Sequence, residues 1–73
     1  MDEINDKYTL VGVDGNAFAV MAYTKKALKE TGLKSEVKKM MQEATSGDYS
    51  KLLSVCQKYI EMANAEYKKK GEV

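Results

Sequence analysis

The chain has no histidine, no arginine and a single cysteine, Cys56. Each absence closes off a class of function. One cysteine forms no intrachain disulfide, and a lone thiol without histidine is no zinc site. Serine–histidine–aspartate catalysis is excluded outright. With lysine as its sole basic residue, the chain lacks the usual means of bidentate contact with guanine or phosphate. No run approaches the roughly 20 apolar residues that cross a bilayer. The N-terminus, Met1-Asp2-Glu3-Ile4-Asn5-Asp6, is acidic where a secretory signal would be basic and then apolar. A cytoplasmic protein is expected, and a single cysteine suits a reducing compartment.

What is present is 73 residues with a formal net charge of +1. That length supports one domain, near the lower limit for independent folding, because a small chain buries a low fraction of its surface. Without disulfide or metal, either tight helix packing or self-association must supply the missing stability. The charge is uneven: residues 1–14 sum to −3, residues 15–51 to +3 and residues 52–73 to +1.

Residues 1–6 are polar and are expected to form a mobile tail. Residues 7–13, Lys-Tyr-Thr-Leu-Val-Gly-Val, are rich in β-branched and aromatic types. Tyr8 and Leu10 alternate with Thr9 and Val11, which predicts a short strand or extended arm. No second strand is visible. A lone strand leaves its backbone groups unpaired, so Tyr8, Leu10, Val11 and Val13 are the candidate interface, by pairing with a second copy or a partner.

Three helices follow. Asp14-Gly15-Asn16 offers caps for a first helix over about 17–31, with an apolar face of Ala17, Phe18, Val20, Met21, Ala27 and Leu28. Gly32 is placed to end it, with Leu33 folding back on the last turn. Ser35 is the expected N-cap of a second helix whose stripe is Val37, Met40, Met41 and Ala44. Thr45-Ser46-Gly47 stops that helix and Asp48 caps the third. Its stripe, Tyr49, Leu52, Leu53, Cys56, Tyr59, Ile60, Ala63 and Tyr67, is the strongest structural signal in the chain. Lys68, Lys69 and Lys70 suit the negative end of that helix, and residues 71–73 should fray. The fold expected is mainly α: a single domain over 7–70, made of a short N-terminal strand or extended arm followed by a compact three-helix bundle.

Three blocks together carry a resemblance: Leu-Val-Gly-Val-Asp-Gly-Asn-Ala-Phe (10–18), Glu-Ala-Thr-Ser-Gly-Asp-Tyr (43–49), and Leu52-Leu53 followed by Tyr59. They resemble a group of small proteins of bacterial and phage genomes with no assigned activity. The resemblance implies a bacterial or mobile-element origin and supplies no catalytic residues. A second, weaker likeness, over residues 7–45, is to the ribbon-helix-helix DNA-binding proteins, in which paired strands of two subunits enter the major groove. Lys7, Thr9 and Val11 are a poor set for reading bases, and the long third helix lies outside that pattern.

The candidate chemistry is thin. Asp14 and Asp48 stand in two polar glycine loops that could form a small site, although caps and turns demand the same residues. Gly12 and Gly15 do not have phosphate-loop spacing. Cys56, mid-helix on an apolar stripe, reads as a small buried hydrophobe. Glu61 and Glu66 are wrongly spaced to share a face. Lys25, Lys26, Lys29, Lys34, Lys38 and Lys39 form a candidate anion patch, partly balanced by Glu30, Glu36 and Glu43, with Tyr23 the aromatic nearest to it. The reading is a non-enzymatic interaction domain that self-associates as a homodimer or binds another protein. The alternative is a weak, dimeric nucleic-acid binder using the lysines. No cofactor, metal, small-molecule substrate or membrane partner is implied.

Overall fold

A computed structural model of the chain describes residues 7–71; the expected mobile tail and the last two residues lie outside them. The described residues form three helices and no strand: α1 (Ala17–Glu30), α2 (Val37–Ala44) and α3 (Tyr49–Gly71), with a single 3₁₀ turn at Lys34–Glu36. Gly71, expected to fray, is the last residue of α3.

The helix ends follow from local chemistry. The Asn16 side chain accepts from the Ala19 amide at 3.0 Å, capping α1. At its other end Gly32 adopts φ 81, the left-handed conformation that glycine takes without penalty. The Leu33 amide then bonds the Leu28 carbonyl at 2.8 Å and the Gly32 amide bonds that of Lys29 at 3.4 Å, the paired closure of a Schellman motif. Asp48 accepts from the Lys51 amide at 3.0 Å and starts α3. Ser35 does not cap α2. It lies inside the 3₁₀ turn, which begins straight after the Schellman closure, and α2 starts two residues later with no side-chain cap.

Residues 7–13, expected as a short strand or an extended arm, hold no strand and lie against the helices. The Val13 amide donates to the Leu10 carbonyl at 3.1 Å, and Gly12 takes φ 86, so residues 10–13 make a tight turn of type II character. Ahead of it, the Tyr8 backbone is already paired. The Asn64 carboxamide accepts from the Tyr8 amide and donates to the Tyr8 carbonyl, both at 2.8 Å. A side chain thus does what a neighbouring strand would have done.

The Tyr49 hydroxyl donates to the Gly15 carbonyl, and Ala27 packs with Ile60 and Ala63. These pairs ascend together, so α1 and α3 run side by side in the same direction. Residues 8–15 run the opposite way along them, from Asn64 and Glu30 back to Tyr49.

The core has two parts. The larger joins Val20, Met21 and Leu28 of α1, Met40 and Ala44 of α2, and Leu52, Val55, Cys56 and Tyr59 of α3. The smaller is Tyr8, Ala27, Ile60 and Ala63, and Leu10 packs against both. Thr24 and Thr31 are buried within α1 and at its end, because their hydroxyls bond the Val20 and Ala27 carbonyls, each at 2.9 Å. Phe18 departs from expectation. It is 80 % exposed, since a 100° step per residue carries it off the face that Ala17, Val20, Met21 and Thr24 share. Tyr49, Leu53 and Tyr67 also stay exposed, although they belong to the predicted stripe of α3.

Candidate functional site

The structure brings the two polar loops to one end of the bundle, where α1 and α3 begin, with Tyr49 joining them through Gly15. Their carboxylates act as caps and turns. Asp14 accepts from the Asn16 amide at 3.2 Å, and Asp48 from that of Lys51. Among the described residues, no group of cysteine, aspartate and glutamate is placed to hold a metal ion. What that end does present is apolar surface. Val11 is 85 % exposed on the turn before α1, Phe18 stands in the first turn of α1, and Tyr49 and Leu53 lie on the first turns of α3.

Of the four candidate interface residues, Val11 alone is open. Tyr8 is 5 % exposed and Leu10 and Val13 are half-buried against the core. Tyr8 is held on every side. Its hydroxyl donates to Glu30 at 2.8 Å, and its ring meets Tyr23 and Tyr67 edge-on at 6.4 and 6.1 Å. Burial first, and the Glu30 carboxylate second, push its pKa up to about 12. Tyr23 accepts from the Thr9 amide at 3.0 Å, which ties it to the N-terminal segment rather than to the lysines.

Of the six lysines of the candidate anion patch, three share one surface feature. Lys25, Lys26 and Lys29 line one shallow concavity of about 350 Å³, with Ala22 and Glu30. Lys34, Lys38 and Lys39 are exposed on the 3₁₀ turn and α2 that follow.

A polar cluster ties α2 to α3. Glu43 accepts from Lys58 at 3.1 Å and from the Tyr59 hydroxyl at 3.4 Å, and the Lys58 ammonium stands 4.9 Å from the centre of the Tyr59 ring. The Lys58 hydrogen bond holds the Glu43 carboxyl below its ordinary 4.5 and raises Lys58 in return. The sign follows by linkage: a depressed acid contributes stability above its unfolded pKa, and that contribution is lost as pH falls through its folded pKa. The Glu43→Gln variant is therefore expected to show a shallower fall in Tm on acidification below about pH 4.5 than the parent. Thermal melts across that range decide it, and superimposable acid limbs would remove Glu43 from the account.

Cys56 is buried, and desolvation raises its thiol pKa, with the Thr24 hydrogen bond opposing. It is held as a thiol and packs as one of the core residues. Glu61 is bonded by Gln57 at 3.1 Å and Glu66 pairs with Lys69 at 3.7 Å, so the two acids serve separate contacts. Sequence reasoning missed Asn64, which is 7 % exposed. The available signal was its register: it falls four residues after Ile60 and three before Tyr67, on the buried stripe, where a carboxamide needs partners. Comparison of the chain with protein-family models, with curated proteins and with solved structures gives no match.

Proposed function

We propose that this chain is a non-enzymatic interaction domain that pairs with a second copy of itself through the end of the bundle where α1 and α3 begin. One observation carries the reading. Four of the five exposed large apolar side chains among the described residues, Val11, Phe18, Tyr49 and Leu53, belong to that end. A chain of 73 residues gains much from covering such surface, because its own core is small. Pairing about a two-fold axis would set the same patch against itself. The contact is between side chains rather than β-pairing, since Asn64 already satisfies the Tyr8 backbone. Cytoplasmic location and the resemblance to bacterial and phage proteins belong to the same proposal.

Light scattering on a sizing column, over a range of concentrations, tests it. The parent chain is expected to run as a dimer, and Val11→Asp with Phe18→Asp as a monomer of unchanged helicity. A parent that is monomeric throughout would overturn the reading. A double variant that still dimerises would move the contact elsewhere.

A further inference from the structure

The lysines lie toward the other end of the molecule from the apolar patch, and nothing in the self-association reading uses them. We propose that the lysine face of α1 binds the phosphate backbone of a nucleic-acid duplex without reading its sequence. Three observations support this. Lys25, Lys26 and Lys29 line one concavity over Ala22, so three cations face a single occupant. Among the described residues, none of Lys25, Lys26, Lys29, Lys34 and Lys38 is in an ion pair. Of the acids interspersed with them in sequence, Glu43 is paired with a lysine of α3, while Glu30 lines the concavity itself, so its three lysines face one carboxylate. Glu30 accepts the Tyr8 hydroxyl at the rim of the concavity, and Glu43 is held by Lys58 and Tyr59 on α3. The face is left positive in a chain of net charge +1, with Asp14 and Asp48 at the far end.

The occupant follows from the chemistry of the face. It needs closely spaced negative charge, and a duplex presents one charge per roughly 1.7 Å of axis. Single strands are captured by stacking on open aromatic rings. Here Tyr23 is committed to Thr9 and Tyr8, and Phe18 stands two turns away. An acidic protein would need a central apolar anchor, and the concavity offers only Ala22. Lysine without arginine gives phosphate contact and no base readout.

Fluorescence anisotropy with a labelled mixed-sequence DNA duplex tests the proposal on the full chain. Three phosphate contacts predict affinity falling roughly fortyfold between about 50 and 200 mM salt. Lys25→Glu, Lys26→Glu and Lys29→Glu together are expected to weaken binding more than about tenfold with helicity unchanged. Lys51→Glu, at the opposite end, is expected to leave binding as it was. If charge reversal unfolds the chain, glutamine at the same three positions serves instead. The proposal is overturned by absence of binding at low salt, by binding that ignores salt, or by an equal loss in Lys51→Glu. A single strand or polyglutamate of matched charge that competes as well as the duplex overturns it too, in favour of another partner.

Discussion

Replacing Asn64 by alanine is expected to lower the free energy of unfolding by roughly 2–4 kcal/mol, read by urea denaturation. The side chain makes two hydrogen bonds of 2.8 Å, one in each direction, to a single residue 56 positions away. Tyr8 and Asn64 are both buried, so truncation strands a backbone donor and a backbone acceptor away from water. Each stranded group costs about 1–3 kcal/mol. The segment can escape that penalty by lifting off, but it then uncovers Ala27, Ile60 and Ala63 and breaks the Tyr8–Glu30 bond. Near-UV circular dichroism of the tyrosines separates the two responses, because lifting off dissolves the cluster of Tyr8, Tyr23 and Tyr67. Asn64→Asp sharpens the test. Its carboxylate would accept from the Tyr8 amide but face the Tyr8 carbonyl, which raises its folded pKa. A raised acid costs nothing below its unfolded value of about 3.9 and progressively more as pH rises. The aspartate variant should therefore recover towards the parent near pH 4 and resemble alanine near pH 7, to within about a unit. A loss in Asn64→Ala smaller than about 1 kcal/mol would show that the clamp does not hold the segment.

That clamp also marks where the sequence ceased to be legible. Periodicity found all three helices, because an amphipathic stripe is a property of neighbours three and four apart and survives any packing. Asn16, Gly32 and Asp48 were legible for the same reason, since a cap is local chemistry. Residues 7–13 were legible only as a choice between a strand and an extended arm. Their composition suits a strand, but a strand needs a partner ladder, and whether Asn64 or another backbone supplies it is settled 56 residues away. Thr24 and Thr31 escaped notice because a hydroxyl bonded to its own helix is buried without leaving a polar signature. Phe18 and Leu53 show the opposite limit. Apolar identity puts a residue on a helix without saying whether another element reaches it, and neither is covered. For the candidate site, Lys25, Lys26 and Lys29 share one concavity because their spacing sets them along one side of α1. The pairing of Glu43 with Lys58, which takes one acid out of the balance of charge around them, required the tertiary structure.

Tyr59→Ala is expected to lower the free energy of unfolding by about 3–5 kcal/mol, whereas Tyr59→Phe should lose less than about 1.5 kcal/mol. The ring is 1 % exposed and sits where α2 crosses α3, in the larger part of the core. Removing an aromatic ring from such a site costs about 3–5 kcal/mol, from lost burial and from the cavity left behind. A domain of this size has little to lose: at ~0.05–0.15 kcal/mol per residue, its whole stability is of order 4–11 kcal/mol. The hydroxyl contributes far less. Its bond to Glu43 is long, at 3.4 Å, and Glu43 keeps Lys58 at 3.1 Å when the hydroxyl is gone. The Lys58 ammonium also keeps its place over the phenylalanine ring. Far-UV circular dichroism and urea midpoints on the two variants separate the contributions of ring and hydroxyl. If phenylalanine proved as damaging as alanine, the Glu43 cluster rather than the ring would be what fastens α2 to α3. The Glu43→Gln chain should then lose as much.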